Sequence, residues 1–84
     1  MKNLENLTIY TKAIELVKRV YVFIGNSPSL KRDYSLCDQI KRAAVSVPCN
    51  IAEGYFRSIK QTHNYLEIAS GSTNEVVTIL KIIY

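Results

Sequence analysis

The 84-residue chain is poor in residues that break helices, bind metals or form disulfides. It contains 3 glycines, 2 prolines, 2 cysteines, 1 histidine and no tryptophan. So few glycines and prolines leave little room for loops, and the single histidine and two separated cysteines form no metal-ligand cluster. The longest apolar run is far below the ~18–20 residues that span a bilayer, and the N-terminus lacks a signal peptide's apolar stretch. We therefore expect a cytoplasmic, non-membrane protein without cofactor or metal.

Both cysteines, Cys37 and Cys49, fall on the same predicted helix. At 1.5 Å rise per residue they lie about 18 Å apart, whereas a disulfide requires Cα atoms within about 7 Å. They are therefore expected to be free thiols in a reducing compartment.

Apolar side chains are abundant, since hydrophobic residues make up 48% of the chain. This composition argues against disorder and, with the length, predicts one domain over residues 1–84. A domain of this size buries only roughly 60–65% of its unfolded surface, so a lone monomer would be marginally stable. The net charge of +4 suits nucleic acid or an acidic partner without requiring either.

Apolar residues recur every three or four positions in three segments, which predicts three amphipathic helices. The first spans about residues 7–24 and ends at a left-handed cap formed by Gly25 and Asn26. Residues 25–34 follow as the one predicted loop. The fold class expected from this pattern is all-α, an up-and-down antiparallel helix bundle.

The second predicted helix spans about residues 36–56, with Ser35 as its N-cap. Pro48 lies inside it, and because proline removes a backbone hydrogen bond and clashes with the preceding turn, we expect a kink. The apolar stripe continues in phase beyond Pro48, which favours one kinked helix over two separate helices.

The third predicted helix spans about residues 59–83 and begins with the capping spacing of Ser58 and Gln61. It carries two apolar stripes, more than a surface helix needs. One consists of Leu66, Ala69, Thr73, Val76, Leu80 and Ile83, and the other of Tyr65, Ile68, Ser72, Ile79 and Ile83. Residues 76–84 are rich in β-branched side chains and, by periodicity alone, are also compatible with a strand, although the unbroken stripes favour a helix. Two apolar stripes on one helix predict self-association.

Residues 39–55 read QIKRAAVSVPCNIAEGY. This segment closely resembles the signature QIRRAAVSIPSNIAEG of the four helix bundle protein family, first noticed as products of intervening sequences in bacterial large-subunit ribosomal RNA genes. Lys41, Val47 and Cys49 are the three mild departures. Residues 65–75, YLEIASGSTNE, are similar to the family's FLxIAxGSxxE. The opening of the chain also fits the family's first helix, at Tyr10, Ala13 and Leu16.

The resemblance implies a four-helix bundle that assembles into rings, typically pentamers. Members usually carry a fourth helix, whereas three are predicted here. Either the chain is a truncated member, or another copy of the chain fills the groove that the fourth helix would occupy. In one branch, the accessory protein of diversity-generating retroelements, the ring binds nucleic acid and the reverse transcriptase through a basic surface. The resemblance therefore implies a homo-oligomer, with RNA, DNA or a reverse transcriptase as the partners to expect.

Four basic residues are the predicted nucleic-acid contacts: Lys41, Arg42, Arg57 and Lys60. They lie on the second helix and the turn that follows it. An ordinary solvated surface is the alternative interpretation, and Asp38 is spaced to pair with Arg42.

Four residues of the signature are predicted to be structural: Pro48, Asn50, Glu53 and Gly54. Glu53 has no acidic neighbour for acid–base chemistry and is expected to pair with Arg57. Asn50, two residues after Pro48, is expected to satisfy a carbonyl that the proline frees. Gly54 is expected to permit a close approach between helices.

No catalytic residue is predicted. His63, the single histidine, has no nucleophile partner at a recognisable spacing, and no acid–base pair accompanies it. The function predicted is that of a non-enzymatic, oligomeric helical-bundle protein with a nucleic-acid-binding basic surface. The alternative is a structural or remnant intervening-sequence-encoded protein with no ligand of its own.

Overall fold

The computed structural model describes residues 3–84, and within that range every regular element is a helix. A short 3₁₀ helix (Leu4–Asn6) precedes four α-helices: α1 (Thr8–Gly25), α2 (Pro28–Arg32), α3 (Tyr34–Tyr55) and α4 (Ile59–Ile83). The all-α prediction is confirmed, and the strand interpretation of the last residues is wrong because α4 continues through them. The first two residues of the predicted domain lie outside the described range.

The three long helices run up, down and up, with α3 in contact with both of the others. The cluster at one end of the bundle joins Ala13 of α1, Val47 of α3 and Ala69 of α4. The cluster at the other end joins Ile24 of α1, Ile40 of α3 and Ile79 of α4. Residue numbers thus rise together in α1 and α4 and fall in α3, so α1 and α4 are parallel and both are antiparallel to α3.

The predicted loop at residues 25–34 is wrong in part, because it contains the short helix α2. The Ser27 hydroxyl oxygen accepts a hydrogen bond from the Leu30 backbone N–H at 3.3 Å and so caps the helix. Pro28 follows in the first turn, where the missing N–H is not needed. Leu30 is buried in the core, which anchors α2 to the bundle.

The helix ends differ from the prediction at two caps. Asn26 has φ −92°, and no residue from 3 to 84 has a positive φ, so α1 ends without the expected left-handed cap. The N-cap of α3 is Asp33 rather than Ser35, since Asp33 Oδ1 accepts a hydrogen bond from the Leu36 N–H at 3.1 Å. This capping starts α3 two residues earlier than predicted.

Other predicted features are confirmed. Ser58 caps α4, because its Oγ accepts a hydrogen bond from the Gln61 N–H at 3.3 Å. Pro48 is buried within α3, which continues as one helix from Tyr34 to Tyr55. Because proline has no N–H, the carbonyl of Ala44 one turn earlier lacks its usual helical donor.

Candidate interaction surfaces

The four predicted nucleic-acid contacts are placed in two separate pairs. Lys41 and Arg42 lie in the first half of α3, whereas Arg57 follows the end of α3 and Lys60 is in the first turn of α4. From Arg42 to Tyr55 the helix rises about 20 Å at 1.5 Å per residue. The fold therefore does not gather the four residues into one cluster.

Each arginine pairs with a carboxylate four positions earlier in the chain. Arg42 Nε lies 2.8 Å from Asp38 Oδ2, and Arg57 Nη2 lies 2.8 Å from Glu53 Oε2, which confirms both predicted pairs. The Arg57 guanidinium also lies 5.8 Å from the centre of the Tyr65 ring. The hydrogen bond that Arg57 donates to the Glu53 carboxylate, and after it the charge interaction with Tyr65, raises the pKa of Arg57. Exposed pairs of this kind are weak, so both guanidinium groups remain open to exchange for a phosphate.

The two lysines differ in their surroundings. Lys41 is partly buried, and its Nζ lies 5.1 Å from the centre of the Tyr21 ring on α1, within cation–π range. It also lines an open cleft of ≈ 360 Å³, together with Ile24, Lys31, Tyr34, Cys37 and Asp38. Lys60 is exposed, and the ion pairs among residues 3–84 do not include it.

Asn50 belongs to a polar contact between α3 and α4. Its Nδ2 donates to the Ser46 carbonyl and lies 2.8 Å from the Ser46 hydroxyl, which in turn is 2.8 Å from the Ser72 hydroxyl of α4. The carbonyl that Asn50 satisfies is thus that of Ser46, and not that of Ala44, which Pro48 deprives of a donor. The Ser46–Ser72 hydrogen bond of this network joins α3 to α4.

Gly54 is buried where α3 closely approaches the start of α4. A Cβ atom on Gly54 would lie 2.7 Å from Tyr65 Cβ, closer than real Cβ contacts come. The Gly54 carbonyl also accepts a hydrogen bond from Thr62 Oγ1 at 2.6 Å. A side chain at this position would therefore push the two helices apart.

The cysteines and the histidine lie apart from one another. Cys37 is buried and its Sγ donates to the Leu30 carbonyl at 2.8 Å, whereas Cys49 is exposed, and both thiols are free. His63 Nε2 lies 3.0 Å from Glu67 Oε1 on the surface of α4. Across residues 3–84 no three or more histidine, cysteine or acidic side chains come together as a metal site would require. In the same part of the chain, no helix is both long and apolar enough to cross a membrane.

An open apolar groove separates the N-terminal half of α1 from that of α4. Its volume is ≈ 470 Å³, and its lining consists of Ile9, Lys12, Ala13, Leu16, Val47, Ile51, Leu66, Ala69, Ser70 and Thr73. Ile9 and Leu66 on its two walls are 47% and 39% exposed. At the opposite end of the bundle the Phe23 and Tyr84 rings lie 5.8 Å apart. The helices α1 and α4 therefore contact each other at their C-terminal ends and leave the groove open towards their N-terminal ends.

A second groove lies on the other side of α1, between α1 and α3. Its volume is ≈ 310 Å³, and its lining consists of Tyr10, Ile14, Val17, Lys18, Val45, Pro48, Cys49 and Ala52. Neither this groove nor the contact between Tyr21 and Lys41 beside it was predicted from the sequence. The sequence signal for both features is the wide apolar stripe on α1. Its apolar residues cover more of the helix surface than α3 buries.

One comparison with known proteins gives a match. A family model described as 23S rRNA-intervening sequence protein matches residues 5–84. No curated protein and no solved structure matches the chain. The matched range includes both grooves and all four predicted basic contacts.

Proposed function

Because the chain belongs to the 23S rRNA-intervening sequence protein family, we propose that it is a non-enzymatic helical-bundle protein that self-associates and binds nucleic acid through its basic surface. The observation that carries self-association in this proposal is the apolar groove between α1 and α4. The proposal also places the protein in the cytoplasm, a reducing compartment in which free thiols such as Cys37 and Cys49 persist.

The α1–α4 groove has the form that a further helix occupies in a four-helix bundle. Its walls are the parallel helices α1 and α4, and its floor is the antiparallel helix α3. One more helix, antiparallel to both walls, would complete up-and-down packing and remove the apolar lining from water. A helix of a second copy is the proposed occupant, since a closed symmetric assembly buries the same groove in every subunit.

Self-association is tested by light scattering of the Leu66→Lys variant. Leu66 lines the groove and is partly exposed, so a lysine there should leave each subunit folded while it places a charge in the interface. We expect the mass of the variant to fall to that of a single chain. Ile59→Lys is the matched control, because Ile59 is 92% exposed and lies outside the groove. A single-chain mass for the unaltered protein at micromolar concentration would contradict the proposal.

Assembly would add the charges of several chains, each with a net charge of +4, into one basic surface. Lys41, Arg42, Arg57 and Lys60 are the contacts proposed from the sequence, and the exposed carboxylate partners of the two arginines can be displaced by phosphates. Contacts of this kind position a protein on nucleic acid without specifying its sequence. The proposed binding is therefore strong at low salt and shows little preference among sequences.

The nucleic-acid proposal is tested by fluorescence anisotropy with RNA and duplex DNA over a range of salt concentrations. Affinity should fall steeply as salt rises because bound counterions are released. Replacing Lys41, Arg57 and Lys60 together by glutamine should reduce the salt slope by about one for each phosphate that the variant no longer binds. The double variant Arg19→Gln, Lys81→Gln controls for the general loss of charge. It should lower the affinity and the salt slope less for each charge removed.

Failure of the unaltered protein to bind either nucleic acid at low salt would remove the nucleic-acid proposal. The alternative, a structural or remnant protein with no ligand of its own, would then take its place. The resemblance to the retroelement branch makes a reverse transcriptase the protein partner to test, by co-purification of the two chains.

A further inference from the structure

Two exposed tyrosines and three lysines share one face of the bundle, formed by α1, α2 and the first half of α3. Lys31, Tyr34 and Lys41 line the same cleft, and Lys41 reaches across to the ring of Tyr21. Lys18 lies one turn before Tyr21 on α1 and lines the adjoining groove. These five residues, Lys18, Tyr21, Lys31, Tyr34 and Lys41, are here called the tyrosine–lysine face.

The charge of this face is positive and nearly uncompensated. Asp38 is the one acidic residue that lines the cleft, and its carboxylate is held by Arg42 at 2.8 Å. The ion pairs among residues 3–84 include none of the three lysines. A ligand that meets this face therefore encounters three ammonium groups that no carboxylate neutralises, which suits a chain of phosphates.

The two tyrosine rings are more exposed than aromatic side chains in a folded core. Tyr34 is 81% exposed at the first position of α3, and Tyr21 is 47% exposed. Lys41 Nζ lies 5.1 Å from the centre of the Tyr21 ring, and Tyr21 remains about half exposed beside it. Aromatic rings beside a basic groove are the elements that stack the bases of single-stranded nucleic acid.

We propose that the tyrosine–lysine face binds single-stranded nucleic acid, with bases stacked on Tyr21 and Tyr34 and phosphates held by Lys18, Lys31 and Lys41. This inference rests on the proposed function and names its substrate class. In a duplex the bases are already stacked on one another and are not available to the tyrosine rings. The two rings should therefore add no affinity for a duplex. A second protein chain is the alternative occupant, since tyrosine is enriched in protein–protein interfaces. The three lysines favour nucleic acid, because lysine is depleted in those interfaces.

The test compares a labelled oligouridine with a duplex of the same length, by fluorescence anisotropy at one salt concentration. The unaltered protein should bind the single strand more tightly. Tyr21→Ala and Tyr34→Ala should each weaken single-strand binding by about tenfold or more, as loss of one stacked base does, and should leave duplex binding unchanged. Tyr21→Phe and Tyr34→Phe should retain the affinity, since stacking needs the ring and not the hydroxyl.

Tyr84→Ala is the control, because Tyr84 is 87% exposed and lies outside the face. Equal binding of single strand and duplex, with no effect of the alanine variants, would overturn this inference while the proposed function stands. Absence of all nucleic-acid binding would overturn both. A change in mass by light scattering on replacement of the tyrosines, with single-strand affinity unchanged, would show that the face joins copies of the chain and would likewise overturn the inference.

Discussion

Gly54→Ala tests the close approach between α3 and α4 at Gly54. The added Cβ would lie 2.7 Å from Tyr65 Cβ, whereas ordinary contacts begin at 3.4 Å. The nearest atom belongs to the stem of Tyr65 and not to a flexible tip, so the helices must separate by somewhat less than 1 Å. Overpacking of this kind costs about 1–3 kcal/mol.

A second effect of the same substitution has the opposite sign. Alanine is favoured over glycine within a helix by about 0.8–1 kcal/mol, and Gly54 lies in the last turn of α3 without a positive φ. The net change expected for Gly54→Ala is therefore a loss of about 0–2 kcal/mol in the free energy of unfolding. Gly54→Leu should lose more, because its larger side chain meets the same obstacle.

Gly71→Ala separates the two effects. Gly71 lies inside α4, and a Cβ there would meet nothing within 4 Å. We expect this variant to gain about 0.5–1 kcal/mol from helix propensity alone. The difference between the two alanine variants is then the cost of the contact with Tyr65, about 1–3 kcal/mol.

Urea unfolding followed by far-UV circular dichroism measures both variants. Protein concentration must be the same throughout, because self-association makes apparent stability depend on it. In thermal unfolding, each 1 kcal/mol should shift Tm by about 4–8 °C for a chain of this size. Equal gains for Gly54→Ala and Gly71→Ala would refute the reasoning, since they would show that α3 and α4 do not approach closely at Gly54.

Two further substitutions test the helix cap and the polar network that the structure defines. Asp33→Ala should lower the free energy of unfolding by about 0.5–2 kcal/mol through loss of the α3 cap, whereas Ser35→Ala should change it little; the reverse order in urea unfolding would restore Ser35 as the cap. Ser72→Ala should cost about 0.5–1.5 kcal/mol, since it removes the hydrogen bond to Ser46 between α3 and α4. An equal loss for Thr78→Ala, an exposed hydroxyl bonded within its own helix, would contradict an inter-helix role for Ser72.

The helices were predictable because their apolar periodicity agrees with the contacts that bury them. Ala13, Ile40 and Val76, each three or four positions from another apolar residue of its helix, are all buried. The second stripe of the third helix was less informative, since Ile79 is buried but Ile68 is 51% exposed. Periodicity gives the width of an apolar face, whereas the arc that becomes buried depends on where the neighbouring helix lies.

The short helix α2 was missed although its signals were present. Ser27 followed by Pro28 is a helix start, and Asp33 ends one helix and caps the next. These residue types are equally common in turns, and five residues are too few to show helical periodicity. The buried side chain of Leu30 favours the helix through its contact with the core. That contact cannot be read from the local sequence.

The location of surface charge was the least predictable feature, because it depends on helix pairing and not on chain order. Lys41 and Arg42 are adjacent in the sequence, yet Lys41 turns towards Tyr21 of α1 while Arg42 pairs with Asp38 along its own helix. Successive helical residues point about 100° apart, since 3.6 residues complete a turn. Neighbouring positive charges on one helix therefore serve different surfaces, whereas Lys31 and Lys41, ten positions apart in the sequence, line one cleft. A binding face on such a bundle follows from the residues that two helices bring together, which is why the tyrosine–lysine face shares only Lys41 with the set chosen from the sequence.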